Sequence, residues 1–198
     1  ATHTRAEHID VIAYSSGAMV ASPGLALLGT VSAGYDPASM RLGEIYYPAP
    51  DADFRRFVSE LQVYHAYPQR VTVTANLHDS VLVLSRLHQR GSRAGRPDPD
   101  ELSAEDSQWM VEASNNLGFD RRSHIFWYDH PWVSSDVLLK MLFHLSPQDR
   151  GLLENSRESG LKYWTFPEDY EARLKQVRDE LVEAARNAPT QATSPPQP

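Results

Sequence analysis

The feature that most constrains the fold is the stretch Ile9-Asp10-Val11-Ile12-Ala13-Tyr14-Ser15-Ser16-Gly17-Ala18-Met19. A short apolar run meets a cluster of small residues and then continues in a helix-compatible sequence. Such a run with no turn residue inside it reads as a buried parallel strand. Ser15 stands at the apex, with Ala13 two positions before it and Gly17 two positions after. This is the small-x-Ser-x-Gly pattern of a nucleophile elbow, with alanine in the first glycine slot. The strained strand-to-helix turn lifts the hydroxyl clear of the sheet edge and leaves little room on either side. Ser16 would place the bulky Tyr14 in the first small-residue slot, so Ser15 is the candidate nucleophile.

The rest of the chain repeats a strand–helix rhythm. Leu42 to Tyr47 and Arg70 to Ala75 read as further strands. The apolar spacing 54, 57, 58, 61, 64 predicts a helix from Phe54 to Tyr64, with Asp53 as its N-cap. Asp79 to Leu87 is expected to be helical, and Gly91 to Pro99 to be loop. Ser103 to about Leu117 is expected to be a helix opened by a near capping box, and Ser123 to Tyr128 a fourth strand. Ser134 to Leu145 completes the pattern as a helix. Alternation of this kind implies an α/β fold, a parallel sheet covered by helices on both faces. An elbow strand needs neighbours on both sides, so several strands are expected to precede Ala1. On this reading residues 1–146 are the carboxyl half of such a domain, and 147–166 are irregular. An amphipathic helix over 167–187 docks on the domain, on the preceding half or on a partner. Residues 188–198 are a Pro-rich disordered tail.

Three residues are placed to carry chemistry. A serine nucleophile needs a base, and the base needs an orienting acid. Asp79 follows the third predicted strand, and His130 follows the fourth in Tyr128-Asp129-His130-Pro131. Both fall at the same sheet edge as Ser15 and in the order Ser, acid, His. Asp79 also suits a helix N-cap, and it could serve in both roles. Asp51 and Asp53, beyond the second strand, are the alternative acids. The backbone N–H of Ser16 is the expected oxyanion donor; its usual second donor comes from a loop after an earlier strand. The remaining histidines, His3, His8, His65, His78, His88, His124 and His144, show no metal-ligand spacing, and neither a metal nor another cofactor is expected.

Composition narrows the class further. A net charge of -7 with scattered Lys and Arg gives no nucleic-acid footprint. The absence of cysteine excludes a thiol nucleophile and disulfides. No apolar run approaches the ~18–20 residues of a membrane span, and the polar stretch Thr2 to His8 carries no secretory apolar region.

Over residues 8–145 the chain resembles a bacterial group of α/β hydrolases of unknown function. The resemblance is carried by the elbow and by Tyr47-Pro48-Ala49-Pro50-Asp51-Ala52-Asp53-Phe54-Arg55. It extends through Arg70-Val71-Thr72-Val73-Thr74-Ala75-Asn76 with Asp79-Ser80, the run Leu82 to Leu87, Arg93-Ala94-Gly95, and His130 with Ser134 to Leu138. It implies a serine esterase or lipase-like enzyme with Ser15, Asp79 and His130 as its triad. One departure is Ala13-Tyr14 where the group has Gly-His. The functions expected from residues and resemblance together are hydrolysis of a small-molecule ester, acyl transfer by the same triad, or partner binding by a non-catalytic scaffold. The aromatic residues Tyr14, Trp127, Tyr128 and Trp132 suggest an apolar acyl or aryl group.

Overall fold

The computed structural model describes residues 6–30, 41–89, 91–101, 110–112, 123–156 and 162–187. Its centre is a six-stranded sheet in the order β1-β2-β3-β4-β6-β5. The strands are β1 (Ile9–Ile12), β2 (Leu42–Pro48), β3 (Arg70–Ala75), β4 (Met110–Glu112), β5 (Leu153–Ser156) and β6 (Lys162–Thr165). All neighbours pair in parallel except β5, which runs antiparallel to β6 at the edge.

Strand β2 shows why the sheet has helices on both faces. Every one of its residues is buried, as expected for a strand covered above and below. Side chains alternate across the pleat. Ile45 and Tyr47 join Val71 and Val73 of β3 in a core with α1 (Ala18–Thr30) and α2 (Phe54–Tyr64). Glu44 and Tyr46 face the other way, towards α5 (Pro131–Phe143): Glu44 meets Lys140, and Tyr46 lies in the field of Asp136. A second core gathers Ala49, Phe126, Val133, Leu152, Phe166 and Tyr170.

Helix α2 forms where its stripe predicts. Phe54, Phe57, Leu61 and Tyr64 are its buried residues, and the Asp53 carboxylate accepts from the Arg56 N–H at 3.0 Å. Each such side chain removed from water contributes about 1.5–3 kcal/mol, so the buried stripe outweighs the contribution of the cap. Helix α1 continues through Pro23 even though proline removes one internal hydrogen bond.

Three expectations are corrected. Ser123 to Tyr128 is not a strand: residues 123–125 are irregular with a bend at His124, and Phe126–Asp129 is a four-residue helix, α4. The fourth strand is β4, inside the stretch expected to be helical; the rest of 103–117 lies outside the described residues. The segment expected to be irregular, 147–166, supplies β5 and β6 to the sheet. Helix α3 is Ser80–Gln89, and α6, Tyr170–Asn187, anchors through Tyr170 and Leu174 on the second core. The proposed tail, 188–198, lies outside the described residues. No described helix is long and apolar enough to cross a membrane.

Candidate active site

The end of β1 is held firmly before the turn begins. The Ala13 N–H donates to the Tyr46 carbonyl at 2.9 Å, and Ala13 is buried. Ser15 then adopts φ 51°, a left-handed conformation rare for a residue with a side chain. Strain of this kind costs on the order of 1 kcal/mol and persists only where surrounding bonds fix it. Here the Gly17 N–H donates to the Tyr14 carbonyl at 2.8 Å, and the Asp51 N–H to the Ser15 carbonyl at 3.0 Å. A methyl group at Gly17 would stand 3.9 Å from the Ala13 Cβ, an ordinary contact. The turn therefore has room for a Cβ at this position, and the space around residue 17 does not itself require glycine.

The Ser15 hydroxyl meets His124. Its Oγ lies 2.8 Å from Nε2, and Nδ1 of the same ring lies 2.6 Å from Asp79 Oδ2. Asp79 is fully buried and the His124 side chain is 10% exposed, so both bonds are largely shielded from water. A carboxylate only accepts, so Nδ1 carries the proton and Nε2 is left to accept from the serine hydroxyl. The other Asp79 oxygen, Oδ1, accepts from the N–H groups of Val81 at 2.9 Å and Leu82 at 3.1 Å. One carboxylate thus caps α3 and orients the imidazole.

His124 belongs to the chain after β4, Asp79 to the turn after β3, and Ser15 to the turn after β1. All three stand beyond carboxyl ends of parallel strands, in the order Ser, Asp, His. Two side chains hold the His124 segment. Asn76 donates from Nδ2 to the Ser123 carbonyl at 3.2 Å while its Oδ1 accepts from the His78 N–H at 3.0 Å. Tyr14 donates from its hydroxyl to the His124 carbonyl at 3.3 Å, and its ring lies 5.1 Å from the imidazole and 5.4 Å from Trp127. Burial raises the Tyr14 pKa, and Tyr128 and Asp79 push it the same way, so the phenol keeps its proton.

His130, the base expected from sequence, is not beside Ser15. Because 123–128 turns and then coils into α4 instead of running as a strand, His130 becomes the N-cap of α5. Its Nδ1 accepts from the Trp132 N–H at 3.3 Å. Burial lowers its pKa against the opposing pull of Asp129, which keeps that nitrogen an acceptor. The alternative acids have other partners. Asp51 Oδ1 takes Arg93 Nε at 2.6 Å and the Ser85 hydroxyl at 2.7 Å, and Asp53 caps α2. Ser16, exposed, follows Ser15 in the single 3-10 turn Ser15–Gly17, where the first N–H groups have no partner within the turn. Trp132 packs on Tyr170 with ring centres 5.6 Å apart, in the second core. The sequence signal missed was the short apolar run Trp109-Met110-Val111, which marks β4 and makes His124 the first histidine beyond it.

A parallel sheet with helices on both faces, carrying a serine on a strained strand-to-helix turn, defines an α/β hydrolase. The comparison with known families agrees. Residues 1–122 match the family described as alpha/beta hydrolase of unknown function (DUF900), and with more than half of its length matched the chain belongs to that family. The match includes Ser15 and Asp79 and ends two residues before His124. No curated protein and no solved structure matches the chain.

Proposed function

We propose that this chain is a serine hydrolase that cleaves carboxylic esters through Ser15, His124 and Asp79. The reading rests on one observation: an uninterrupted run of hydrogen bonds from Ser15 Oγ through His124 to a buried Asp79. Ser15 Oγ attacks the acyl carbon as its proton passes to His124 Nε2. The Oγ–C bond forms, the ester C–O bond breaks, and the same proton leaves with the alcohol. Water then gives a proton to Nε2 and attacks the acyl-enzyme, releasing the acid and returning the proton to Ser15. Asp79 holds the productive tautomer and stabilises the imidazolium. The Ser16 N–H donates to the developing oxyanion. Tyr14, packed beside the imidazole, and Trp127, packed on Tyr14, favour an apolar acyl or aryl group over a charged one.

Labelling with a fluorophosphonate probe tests the assignment. The protein should label, and Ser15→Ala should abolish labelling. His124→Ala should slow it by about 10²–10⁴-fold, the span of a positioned general base. His130→Ala should label at close to the parent rate. Labelling that survives Ser15→Ala, or an equal loss in His124→Ala and His130→Ala, would overturn the proposal.

A further inference from the structure

At the amino ends of the strands, opposite the Ser15 edge, a second cluster of chemically capable side chains comes together. His8 and Asp10 are two residues apart at the start of β1, a spacing that puts both on one face of an extended chain. His8 Nε2 lies 3.3 Å from Asp10 Oδ2. Both side chains lie across Gly43, where an added Cβ would stand 2.2 Å from Asp10 Oδ1 and 2.8 Å from His8 Cδ2. Any larger residue there would displace both side chains. His144 arrives as the C-cap of α5, held at φ 52° with its N–H on the Lys140 carbonyl at 3.0 Å. Its ring meets His8 edge-on, with centres 4.3 Å apart.

We propose that His8, Asp10 and His144 bind one divalent transition-metal ion of the zinc class. One ligand atom from each residue lies within 4.8 Å of the other two. Donors about 2.0–2.1 Å from a tetrahedral zinc lie about 3.3 Å from one another, which the His8–Asp10 pair already matches. The wider separations close by small rotations of side chains that are 20–31% exposed. Two imidazoles and one carboxylate suit zinc, cobalt, nickel or copper, and do not suit the all-oxygen preferences of magnesium or calcium. Asp10 is preset, because its Oδ1 accepts from the Glu44 N–H at 2.7 Å and Oδ2 is directed at His8. The buried Nδ1 of His144 has no hydrogen-bond partner, and Glu44 Oε1 lies 3.5 Å away. That carboxylate stands behind the ring as outer-shell carboxylates do behind metal-bound histidines.

The neighbouring charges do not oppose the ion outright. Arg70 and Lys140 both pair with Glu44, and Arg70 also donates to the His144 carbonyl. Their positive charge is thereby met by Glu44 and the helix end, and Asp10 remains as the carboxylate offered to the metal. A bound ion would tie the start of β1 to the end of α5, so its role would be structural and separate from Ser15.

Zinc chloride titrated into chelator-treated, full-length protein tests this by calorimetry, with cobalt absorption reporting tetrahedral geometry. One equivalent of zinc should bind and raise the melting temperature, and magnesium should do neither. His8→Ala, just before β1, and His144→Ala should each weaken zinc by more than the about 10–100-fold typical of losing an outer-shell partner. Fluorophosphonate labelling of His8→Ala should stay at the parent rate. Absence of saturable zinc binding by the parent protein, or binding that survives His8→Ala unchanged, would overturn the proposal. Should His144→Ala fail to fold, the His8→Ala titration decides alone.

Discussion

Replacing Asp79 with asparagine separates two roles that one carboxylate fills. Oδ1 caps α3 by accepting from Val81 and Leu82, and Oδ2 accepts from His124 at 2.6 Å. Asparagine keeps an acceptor oxygen for the cap, and it caps about as well as aspartate. Its NH₂ group then faces His124 Nδ1, and two donors cannot share a hydrogen bond. The imidazole escapes by moving its proton to Nε2, which then can no longer accept from Ser15. Loss of the productive tautomer costs about 10⁴ in kcat in serine enzymes built this way, equivalent to about 5.5 kcal/mol of barrier. Asp79→Asn should therefore lose ester hydrolysis by about that factor, with stability changed by less than about 0.5 kcal/mol. Asp79→Ala should lose activity similarly and also lose the cap, about 0.5–2 kcal/mol. The measurements are p-nitrophenyl ester turnover and urea unfolding on the same preparations. Asp79→Asn turnover within about tenfold of the parent would refute the tautomer argument, since that single bond is what sets the tautomer of the imidazole.

Two further outcomes follow from the same structure. Burial raises the pKa values of Tyr46, Tyr47, Tyr64 and Tyr170, with Tyr64 pushed up to about 12. Below pH 10 these phenols are neutral in both states and contribute no pH dependence. Above it the unfolded chain releases protons that the folded chain retains, so stability falls by about 1.4 kcal/mol per pH unit for each such tyrosine. Phenolate absorbance should rise together with loss of circular dichroism; ionisation of all nine tyrosines before unfolding would refute this. Asn76→Ala removes both bonds that fix the Ser123 carbonyl and His78 N–H, and should lower kcat while leaving the mid-pH stability loss near 1–3 kcal/mol. Because Asn76 acts through the His124 segment, the readout is a kcat loss with KM little changed; unchanged kcat in the folded variant would exclude a positioning role.

The sequence made some of this legible and hid the rest for identifiable reasons. Ser15 was readable because a strand ending in small residues, with serine at its apex, is a local pattern. Asp79 was readable because it follows an apolar strand and precedes a helix. His124 was not, because Ile125-Phe126-Trp127-Tyr128 has strand-like composition but coils into α4, where Phe126 is fully buried. Meanwhile β4 is only three residues long, too short for periodicity to register. Strand β5 is hidden by its polarity, since Leu153-Glu154-Asn155-Ser156 lies at an edge with little side-chain burial, and β6, Lys162–Thr165, is only four residues long, which gives periodicity little to register. The His8, Asp10 and His144 cluster has no local signature, since only the packing of α5 against the start of β1 assembles it.

Tyr14 shows how the sequence departure at the elbow and the geometry of the site are connected. The position before Ser15 points at the histidine segment, and the tyrosine there spans it from ring to hydroxyl, packing on the imidazole and bonding the His124 carbonyl. Asn76 grips the preceding carbonyl, that of Ser123, from the side of β3. The histidine is therefore held by main-chain bonds from the elbow and from the acid-bearing turn, in addition to its two ring bonds. These two bonds fix the main chain at Ser123 and His124. This explains how a histidine outside the segment matched by the family model can still sit 2.8 Å from the serine and 2.6 Å from the aspartate. Its position is fixed by Tyr14 and Asn76 at the strand ends that it faces, both inside the matched region.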